Sequence, residues 1–505
     1  MKRDFSSQTT LFLAAAILVV VNLIGLNIFG RLDLTDDRVY SLSRASKDIV
    51  ENLEDPVTIK AYFSADLPAQ FASNRRFLRD KLNDYRAYGG QNVAYEFIDP
   101  GEDEDIRAEA TRLGIPPVQI QVIESDNVQL KNAYMGVAIE YENNRESIPV
   151  IQDLSRLEYD LTSAIRRLTR AEKPTAGFWT DHGEPDLMQN MPRLQQNLAT
   201  NYNVQPVTGL DLQGEDRPDV LVIVAPTDTI PEPDLRALDS YIMEGGRVGF
   251  LLNRVAANLQ SGQAVELHTG LEPLLANYGI VLMPNLIMDE QSSVVNVQRR
   301  QGFFNISQQI QYPLFPVASR FNTENQMVNR LQDIVFYFVS SVDTSAVLPS
   351  GVTREPLIYS SPQSGLQQGF FMLQPTQTTA SLAGGPYLLG AAFTGSFPSA
   401  YEPGRTGMPT RLVVVGDGDF VNESVIPPQG GNAQFGLNLV DWLAQDDALL
   451  SIRSKSIEPR TLRDISEDTR PLIKYANMLG PLLIVVIFGI ARWRKRRARQ
   501  IVVLK

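Results

Sequence analysis

Two apolar segments, one near each end of the chain, constrain this protein most, because each is long enough to cross a lipid bilayer. Residues 11–29 form a run of 19 residues without a formal charge. As a helix rising about 1.5 Å per residue, the run spans roughly 28 Å, close to the ~30 Å hydrocarbon core of a membrane. Residues 476–491 form a shorter run, which reaches 22 residues when 472–475 and 492–493 are added with their charged ends at the interface. We therefore expect two transmembrane helices, within residues 1–30 and 472–493.

The charges that flank these segments predict their orientation. Lys2 and Arg3 precede the first segment, and a basic cluster, Arg492-Trp493-Arg494-Lys495-Arg496-Arg497, ends the second and continues into the tail 494–505. By the positive-inside rule both termini lie in the cytoplasm, so the block between the two segments lies outside. A cleaved signal peptide is the alternative for the first segment, but no small-residue cleavage site follows it. A buried helix is the alternative for the second, and the basic cluster argues against it.

The block between the segments is strongly acidic. The two ends hold nine Lys or Arg and one acid, so of 46 basic and 58 acidic residues the middle keeps 37 and 57, a net charge of −20. Such a block repels nucleic acid, which excludes DNA and RNA as partners. Asn22 and Asn27 of the first segment are costly facing lipid, and Gly25 between them allows close packing, so we expect these three residues to contact another transmembrane helix.

Several kinds of chemistry are absent from the sequence. The chain has no Cys, which excludes disulfides, thiolate nucleophiles and Cys-ligated zinc. It has only two His, so a metal centre with several His ligands is excluded. Neither a GxSxG elbow nor a GxxxxGK[ST] phosphate loop occurs. We expect no cofactor and no metal, and if ATP drives the system, a separate subunit hydrolyses it.

Residues 31–172 are expected to form the first external domain. Apolar and amphipathic patterns predict the order β-α-β-α-β-β-α, with a Pro-Pro pair directly before the third strand, at 118–123, and a closing hairpin and helix. This order is similar to that of a thioredoxin-type domain. Because the redox cysteines of that fold are missing, we expect a binding platform in place of an oxidoreductase.

Residues 173–450 are expected to form a second external domain, followed by a linker at 451–471. Apolar strands at 175–179, 220–225, 247–252 and 411–415 alternate with helices, which predicts an open parallel sheet covered on both faces. Residues 254–410 interrupt this pattern and are rich in Gln, Ser, Pro and Gly. We expect a β-rich insertion there, with strands near 334–341, 356–359 and 387–397.

Polar residues follow three of these strands directly, where open α/β sheets place their ligands. They are Asp181, His182 and Glu184 after the first strand, Asn253 after the third, and Asp417 and Asp419 after the last. One interpretation is a ligand cleft, or an enzyme site that uses acid and imidazole groups. The other is that short polar residues and Gly simply form tight turns between strand and helix.

Five stretches together resemble one family, the gliding-motility-associated ABC transporter auxiliary component of the GldG type. They are RLDLTDDRVYSLS at 31–43, DHGE at 181–184, DVLVIVAP and LDSYIMEGGRVGFLL within 219–252, RLVVVGDGDF at 411–420, and NLVDWLAQDDALLSIRSKS at 438–456. The resemblance implies a bacterial inner-membrane protein that works with an ABC-2-type permease and a separate ATPase. It also implies a central domain similar to a class I glutamine amidotransferase, whose nucleophilic Cys this chain lacks. The family name refers to gliding motility in some members, and relatives also occur in non-gliding bacteria.

The first hypothesis is thus an α/β protein that acts as a non-catalytic auxiliary subunit of an ABC transporter in the inner membrane. Its large domains would be periplasmic, and they would bind substrate or an envelope partner. A second hypothesis is an envelope hydrolase or metal-dependent enzyme that uses Asp181, His182, Glu184 and Asp417. A third is a scaffold that binds an envelope protein or polysaccharide.

Overall fold

A computed structural model describes most of the region between the two apolar segments. It covers residues 41–444 apart from 66, 68, 102, 125–126, 152–153, 155, 171, 215, 260, 302–303, 330, 375–381 and 426–429, together with Lys474, residues 488–490 and Arg492. The first predicted transmembrane segment, with Asn22, Gly25 and Asn27, lies outside the described residues. The second does so too, apart from Lys474, residues 488–490 and Arg492. None of the helices in the described part is both long and apolar enough to cross a bilayer. The chain divides into two units, 1–456 and 457–505, and the following architecture belongs to the first.

The first domain is a four-stranded sheet with four helices and a separate hairpin. Its strands are β1 (Val57–Phe63), β2 (Val93–Ile98), β3 (Val118–Glu124), β4 (Asn127–Ala133), β5 (Met135–Tyr141) and β6 (Asn144–Ile148), and its helices are α1 (Arg44–Glu51), α2 (Ala69–Gly89), α3 (Glu104–Arg112) and α4 (Leu157–Thr169). The sheet order is β2-β1-β5-β6. Strand β1 is parallel to β2 and antiparallel to β5, which is antiparallel to β6. Strand β3, the expected third strand, pairs with β4 in the hairpin. The thioredoxin-like interpretation stays a prediction.

A buried polar cluster fixes the start of this domain. The Ser43 side chain caps α1 by accepting a hydrogen bond from the Ser46 N–H, as expected of a Ser at the first helical turn. Glu158 of α4 accepts hydrogen bonds from the Ser43 N–H at 2.6 Å and from the Ser46 hydroxyl at 2.9 Å. Its other oxygen lies 3.1 Å from the ammonium of Lys81, on α2. Residues 43–46 are thereby attached to two helices through one buried carboxylate.

The second domain is built on an eight-stranded mixed sheet. The strands are β7 (Thr175–Trp179), β8 (Asn203–Val207), β9 (Val220–Val224), β10 (Arg247–Leu251), β11 (Val255–Asn258), β12 (Gln263–Glu266), β13 (Asn285–Asp289), β14 (Ser292–Gln301), β15 (Phe304–Ala318), β16 (Arg320–Phe321), β17 (Ile334–Val335), β18 (Thr353–Tyr359), β19 (Ser364–Gln368), β20 (Leu388–Gly395) and β21 (Thr410–Val415), and the helices are α5 (Leu187–Asn190), α6 (Pro192–Ala199), α7 (Glu232–Met243), α8 (Leu271–Asn277) and α9 (Gly430–Leu443). The order in the main sheet is β16-β18-β20-β21-β10-β9-β7-β8. The five strands from β21 to β8 are parallel.

Both faces of the parallel part are buried, which explains its continuous apolar strands. All five residues of β9 are buried. Val220, Val222 and Val224 pack in a core with residues of α6 and α9. Leu221 and Ile223, which point to the opposite face, pack in a second core with α7 and α8. A strand between two helical layers cannot alternate apolar with polar residues, so the expected sheet with two covered faces is present here.

The insertion between β10 and β21 adds strands to the main sheet and small sheets of its own. Strands β16, β18 and β20 extend the main sheet in antiparallel orientation. Other residues form the pairs β11–β12 and β13–β19 and the three-stranded sheet β14-β15-β17. The expected strand at 334–341 is shorter, since β17 ends at Val335 and Phe338 has a φ of 54°. That left-handed backbone cannot continue an extended strand.

Candidate functional site

The strand order places a crevice between the loops that follow β7 and β9. In chain order the parallel strands run 2-1-3-4-5, because β8 lies on one side of β7 and β9 to β21 lie on the other. The chain therefore leaves β7 and β9 in opposite directions, and at such a switch point doubly wound sheets bind their ligands. Residues 180–186 and 225–231 form this edge. We call it the switch-point site.

Backbone contacts hold the two loops of the switch-point site together. Asp181 and Gly183 both adopt left-handed conformations, with φ of 84° and 79°. This turn aims the carbonyl of His182 at the second loop, where it accepts hydrogen bonds from the N–H groups of Thr227 at 3.0 Å and Asp228 at 2.9 Å. A Cβ on Gly183 would collide with the Thr227 hydroxyl. Glycine is therefore required at this position both by conformation and by space.

The side chain of His182 is buried between two carboxylates and an indole. The residue is 4% exposed, and its Nε2 lies 3.1 Å from Oδ2 of Asp234, in the first turn of α7. Its Nδ1 lies 3.4 Å from Oε1 of Glu184, but the two atoms do not have hydrogen-bond geometry and neither has another partner. The ring packs edge-to-face on Trp179, with centroids 5.5 Å apart. Burial raises the pKa of the Glu184 carboxyl, whose Oε2 accepts a hydrogen bond from the His182 N–H.

Asn253, Asp417 and Asp419 form a second group at the same edge of the sheet. Asp417 is completely buried and accepts hydrogen bonds from the N–H groups of Tyr337 and Asp419, both at 2.7 Å. Asn253 donates to Asp419 at 2.8 Å and accepts from the Gly418 N–H at 2.8 Å. Burial, reinforced by the neighbouring Asp419, raises the pKa of Asp417 well above its usual range. This group fixes the turn after β21 to the insertion.

The two groups follow strands that are not neighbours in the sheet. Strands β9 and β10 separate β7 from β21, and at about 4.8 Å per strand the intervals sum to roughly 14 Å. Asp181, His182 and Glu184 therefore lie in the switch-point site, apart from Asn253, Asp417 and Asp419. Within the described ranges, no set of three or more His, Cys, Asp or Glu is arranged to hold a metal ion.

A cavity of about 240 Å³ opens beside the second group, between the end of β10 and α8. Its wall is mainly apolar, with Leu252, Leu271 and Leu275 among the lining residues, and of the predicted site residues Asn253 contributes to it. The volume lies below the ~300–1,000 Å³ typical of small-molecule sites. The cavity is therefore smaller than a typical ligand site.

Asp234 and Trp179 complete the switch-point site but were not among the predicted residues. Asp234 lies 52 positions after His182 in the sequence and at the start of a helix, where acidic residues are common because they stabilise the helix dipole. The order of the strands would have indicated its position, since the helix after β9 starts at the switch point. Strand pairing could not be derived from the apolar pattern alone.

Comparison with known proteins assigns the second domain to a family. Residues 173–444, more than half of the 505-residue chain, match the family model described as an ABC-type uncharacterized transport system. The chain belongs to this transport family. The predicted resemblance to ABC transporter auxiliary components is thereby confirmed at the level of that family. In this ABC transport family member, residues 36–140 also match a domain of unknown function, DUF7088.

One relative extends over nearly the whole length of this ABC transport family member. It is an uncharacterized protein of Borreliella burgdorferi (strain ATCC 35210 / DSM 4680 / CIP 102532 / B31), 22% identical over 513 aligned residues that cover 97% of this chain and 98% of the relative. Among solved structures, the mmIFT52 N-terminal domain aligns with 54% of this chain and 97% of its own length, at 14% identity and a TM-score of 0.34. A catalytic mutant of a GH42 β-galactosidase from G. stearothermophilus aligns with 54% of this chain and 32% of its own length, at 10% identity and a TM-score of 0.22. Both scores are too low to support an inference about fold or function.

Proposed function

We propose that the protein is a non-catalytic accessory subunit of a bacterial ABC-2-type transporter complex. In this proposal its terminal helices pack on a permease in the inner membrane, a separate cytoplasmic ATPase supplies the energy, and the acidic domains lie in the periplasm. Membership of an ABC-type transport family is the observation that carries the proposal. The charge distribution supports the proposed orientation in the membrane. The missing phosphate loop supports a separate ATPase subunit. A role in gliding motility is no part of the proposal, since only the name of the resembled family suggests it.

The geometry at the strand ends supports a binding or structural role for the external domains. His182 and Asp417 are buried, and their polar atoms contact neighbouring loops. A catalytic group has to reach its substrate within hydrogen-bond distance, and here the imidazole is enclosed by Trp179, Glu184 and Asp234. These residues position the loops of the sheet edge.

The rival hypothesis is an envelope enzyme that uses Asp181, His182, Glu184 and Asp417. The observation in its favour is the contact between His182 and Glu184, whose raised pKa would suit a general acid. His182 and Asp417 follow strands that are separated by two others, which argues against a single site that uses all four residues. The enzyme hypothesis predicts that His182→Ala abolishes function in cells while the chain still assembles with its partners.

Co-purification tests the accessory role. A tagged full-length chain, extracted from native membranes, is expected to recover a multi-span permease and a P-loop ATPase, identified by mass spectrometry. Gly25→Leu places a large side chain on the predicted contact face of the first helix and should reduce recovery. Leu18→Ile keeps volume and hydropathy and is the matched control. Recovery of neither transporter subunit with the wild-type chain would refute the proposal.

A further inference from the structure

A cleft of about 460 Å³ lies between the two domains, away from the switch-point site. One wall is α4 of the first domain, with Tyr159, Ser163 and Arg167. The facing wall belongs to the second domain and includes Asn201, two residues after α6, and Gln434, on α9. The volume falls within the ~300–1,000 Å³ of typical small-molecule sites, and such sites occur preferentially where domains meet.

The cleft walls are joined by hydrogen bonds that hold the charged groups in place. Glu146 binds Arg167 with both carboxylate oxygens, each at 2.9 Å. A third guanidinium nitrogen of Arg167 donates to Oδ1 of Asn201 at 3.1 Å, across the domain boundary. The Asn201 amide donates in turn to the Tyr159 hydroxyl at 3.3 Å. The Arg167 guanidinium is therefore already matched by a carboxylate of the protein.

Ser163 is the unexplained group in this cleft. It is 2% exposed, it lines the cavity, and its hydroxyl has no hydrogen-bond partner. A buried hydroxyl without a partner costs free energy, because it has lost its bonds to water and gained none. Such groups are rare in folded proteins and call for a reason. A ligand that hydrogen-bonds to Ser163 would provide one.

The chemistry of the lining residues indicates which ligand fits. The lining holds two residues of each charge, Arg156 and Arg167 with Asp160 and Asp441. Just outside it, Glu146 pairs with Arg167 and Arg166 interacts with Asp441, so neither sign is in excess. The other polar groups are hydroxyls and amides, which can both donate and accept hydrogen bonds; they include Ser163, Thr200, Asn197 and Gln434. A ligand hydroxyl has the same dual capacity. A neutral ligand that carries several hydroxyls therefore matches this wall better than an anion or a cation does.

We propose that the interdomain cleft binds a small neutral carbohydrate, with Ser163 as a hydrogen-bonding anchor on one wall and Gln434 on the other. The ligand would bridge the two domains and thereby stabilise one arrangement of α4 against α9. This assignment deepens the proposed accessory function by giving the external domains a ligand class. It does not require the transporter partners to be present, so each of the two proposals can fail without the other.

Ligand-observed saturation-transfer NMR on the full-length chain tests the site. The probes are glucose, N-acetylglucosamine and a neutral disaccharide at millimolar concentration, and glycoside detergents are avoided because they would compete. Binding of at least one probe is expected, and Ser163→Ala should weaken it about tenfold, since a hydrogen bond to a buried group is lost. Gln434→Ala should weaken it as well. Ser73→Ala, an exposed serine of α2 outside the cleft, is the matched control and should leave binding unchanged.

Three outcomes would overturn the assignment. The first is the absence of transfer to any saccharide. The second is wild-type affinity in both cleft variants, provided that their circular dichroism and thermal midpoint show an intact fold. The third is competition by inorganic phosphate or transfer to a neutral peptide with none to saccharides, which would indicate an anion site or a peptide site.

Discussion

At the scale of single residues, the switch-point site depends on a backbone turn that few side chains allow. Asp181 and Gly183 both have positive φ, a conformation that costs an L-residue roughly 1–2 kcal/mol. Asp is among the residues that tolerate it best, because its short side chain can hydrogen-bond locally. At Gly183 the added obstacle is the Thr227 hydroxyl. The positive φ and the lack of space beside Thr227 thus both restrict position 183 to glycine.

Substituting Gly183 by Ala should destabilise the protein more than a positive φ alone explains. Gly404 has a φ of 81° and open space around its Cα, so Gly404→Ala measures only the conformational cost, about 1 kcal/mol. Gly183→Ala adds the collision with Thr227 and should cost roughly 2–4 kcal/mol. Urea unfolding of the two variants provides the comparison. Equal losses would show that the loops of the switch-point site separate without cost.

The sequence predicts the position of the site residues better than their partners. The polar residues after β7, β10 and β21 lie at carboxyl ends of parallel strands, as expected from the apolar runs that precede them. That His182 meets Asp234, and that Asp417 lies two strands away, follows from strand order. Order is set by crossover connections and packing between distant residues, which leave no local pattern in the chain.

At the scale of elements, α1, α2 and α4 depend on one buried carboxylate. The side chains of Lys81 and Glu158 are only 4% and 8% exposed, and Glu158 also binds Ser43 and Ser46 of the first helical turn. By contrast, the cross-strand pair Lys60–Glu140 is 23% and 33% exposed, at the same N–O distance of 3.1 Å. The chain therefore offers a buried and a partly exposed ion pair of equal geometry within one domain.

Removing the two carboxylates should give very different losses of stability. Glu158→Ala leaves the Lys81 ammonium in a buried site and should cost about 3–5 kcal/mol. Glu140→Ala removes a solvent-screened partner and should cost at most about 1 kcal/mol. Urea unfolding measures the loss, and hydrogen exchange should show early opening of α1 in Glu158→Ala alone. If both variants lose the same stability, Glu158 does not hold these helices together.

The first and last residues of an element can be predicted from the sequence where the apolar pattern of that element alone determines them. Strand β7 occupies the expected residues 175–179, and β9, Val220–Val224, ends one residue before the end of the expected strand 220–225. The long hairpin β14–β15 was not predicted, although apolar residues alternate with polar ones along much of β15, at Phe304, Ile306, Ile310, Tyr312 and Leu314. The high content of Gln and Arg in the two strands obscures this pattern. The pairing of β3 could not be predicted, since its apolar run is the same whether it pairs in the main sheet or in a hairpin.

At the scale of the whole molecule, the proposed membrane topology can be tested by labelling introduced cysteines, with no background from native ones. The chain has no native Cys, and Leu210 and Val347 are 81% and 88% exposed in the described part. A Cys at either position should react with an impermeant maleimide on spheroplasts, whereas Gln500→Cys in the basic tail should react only after lysis. The reverse pattern would disprove the proposed topology.

The attachment of residues 43–46 to Glu158 also limits how far the first domain can stand from the bilayer. On the proposed topology only residues 31–40 connect the end of the first membrane helix with the described part of the domain. Ten residues reach at most about 35 Å when fully stretched. The start of the first domain therefore lies within about 35 Å of the outer end of the first membrane helix, so the domain operates next to the membrane surface.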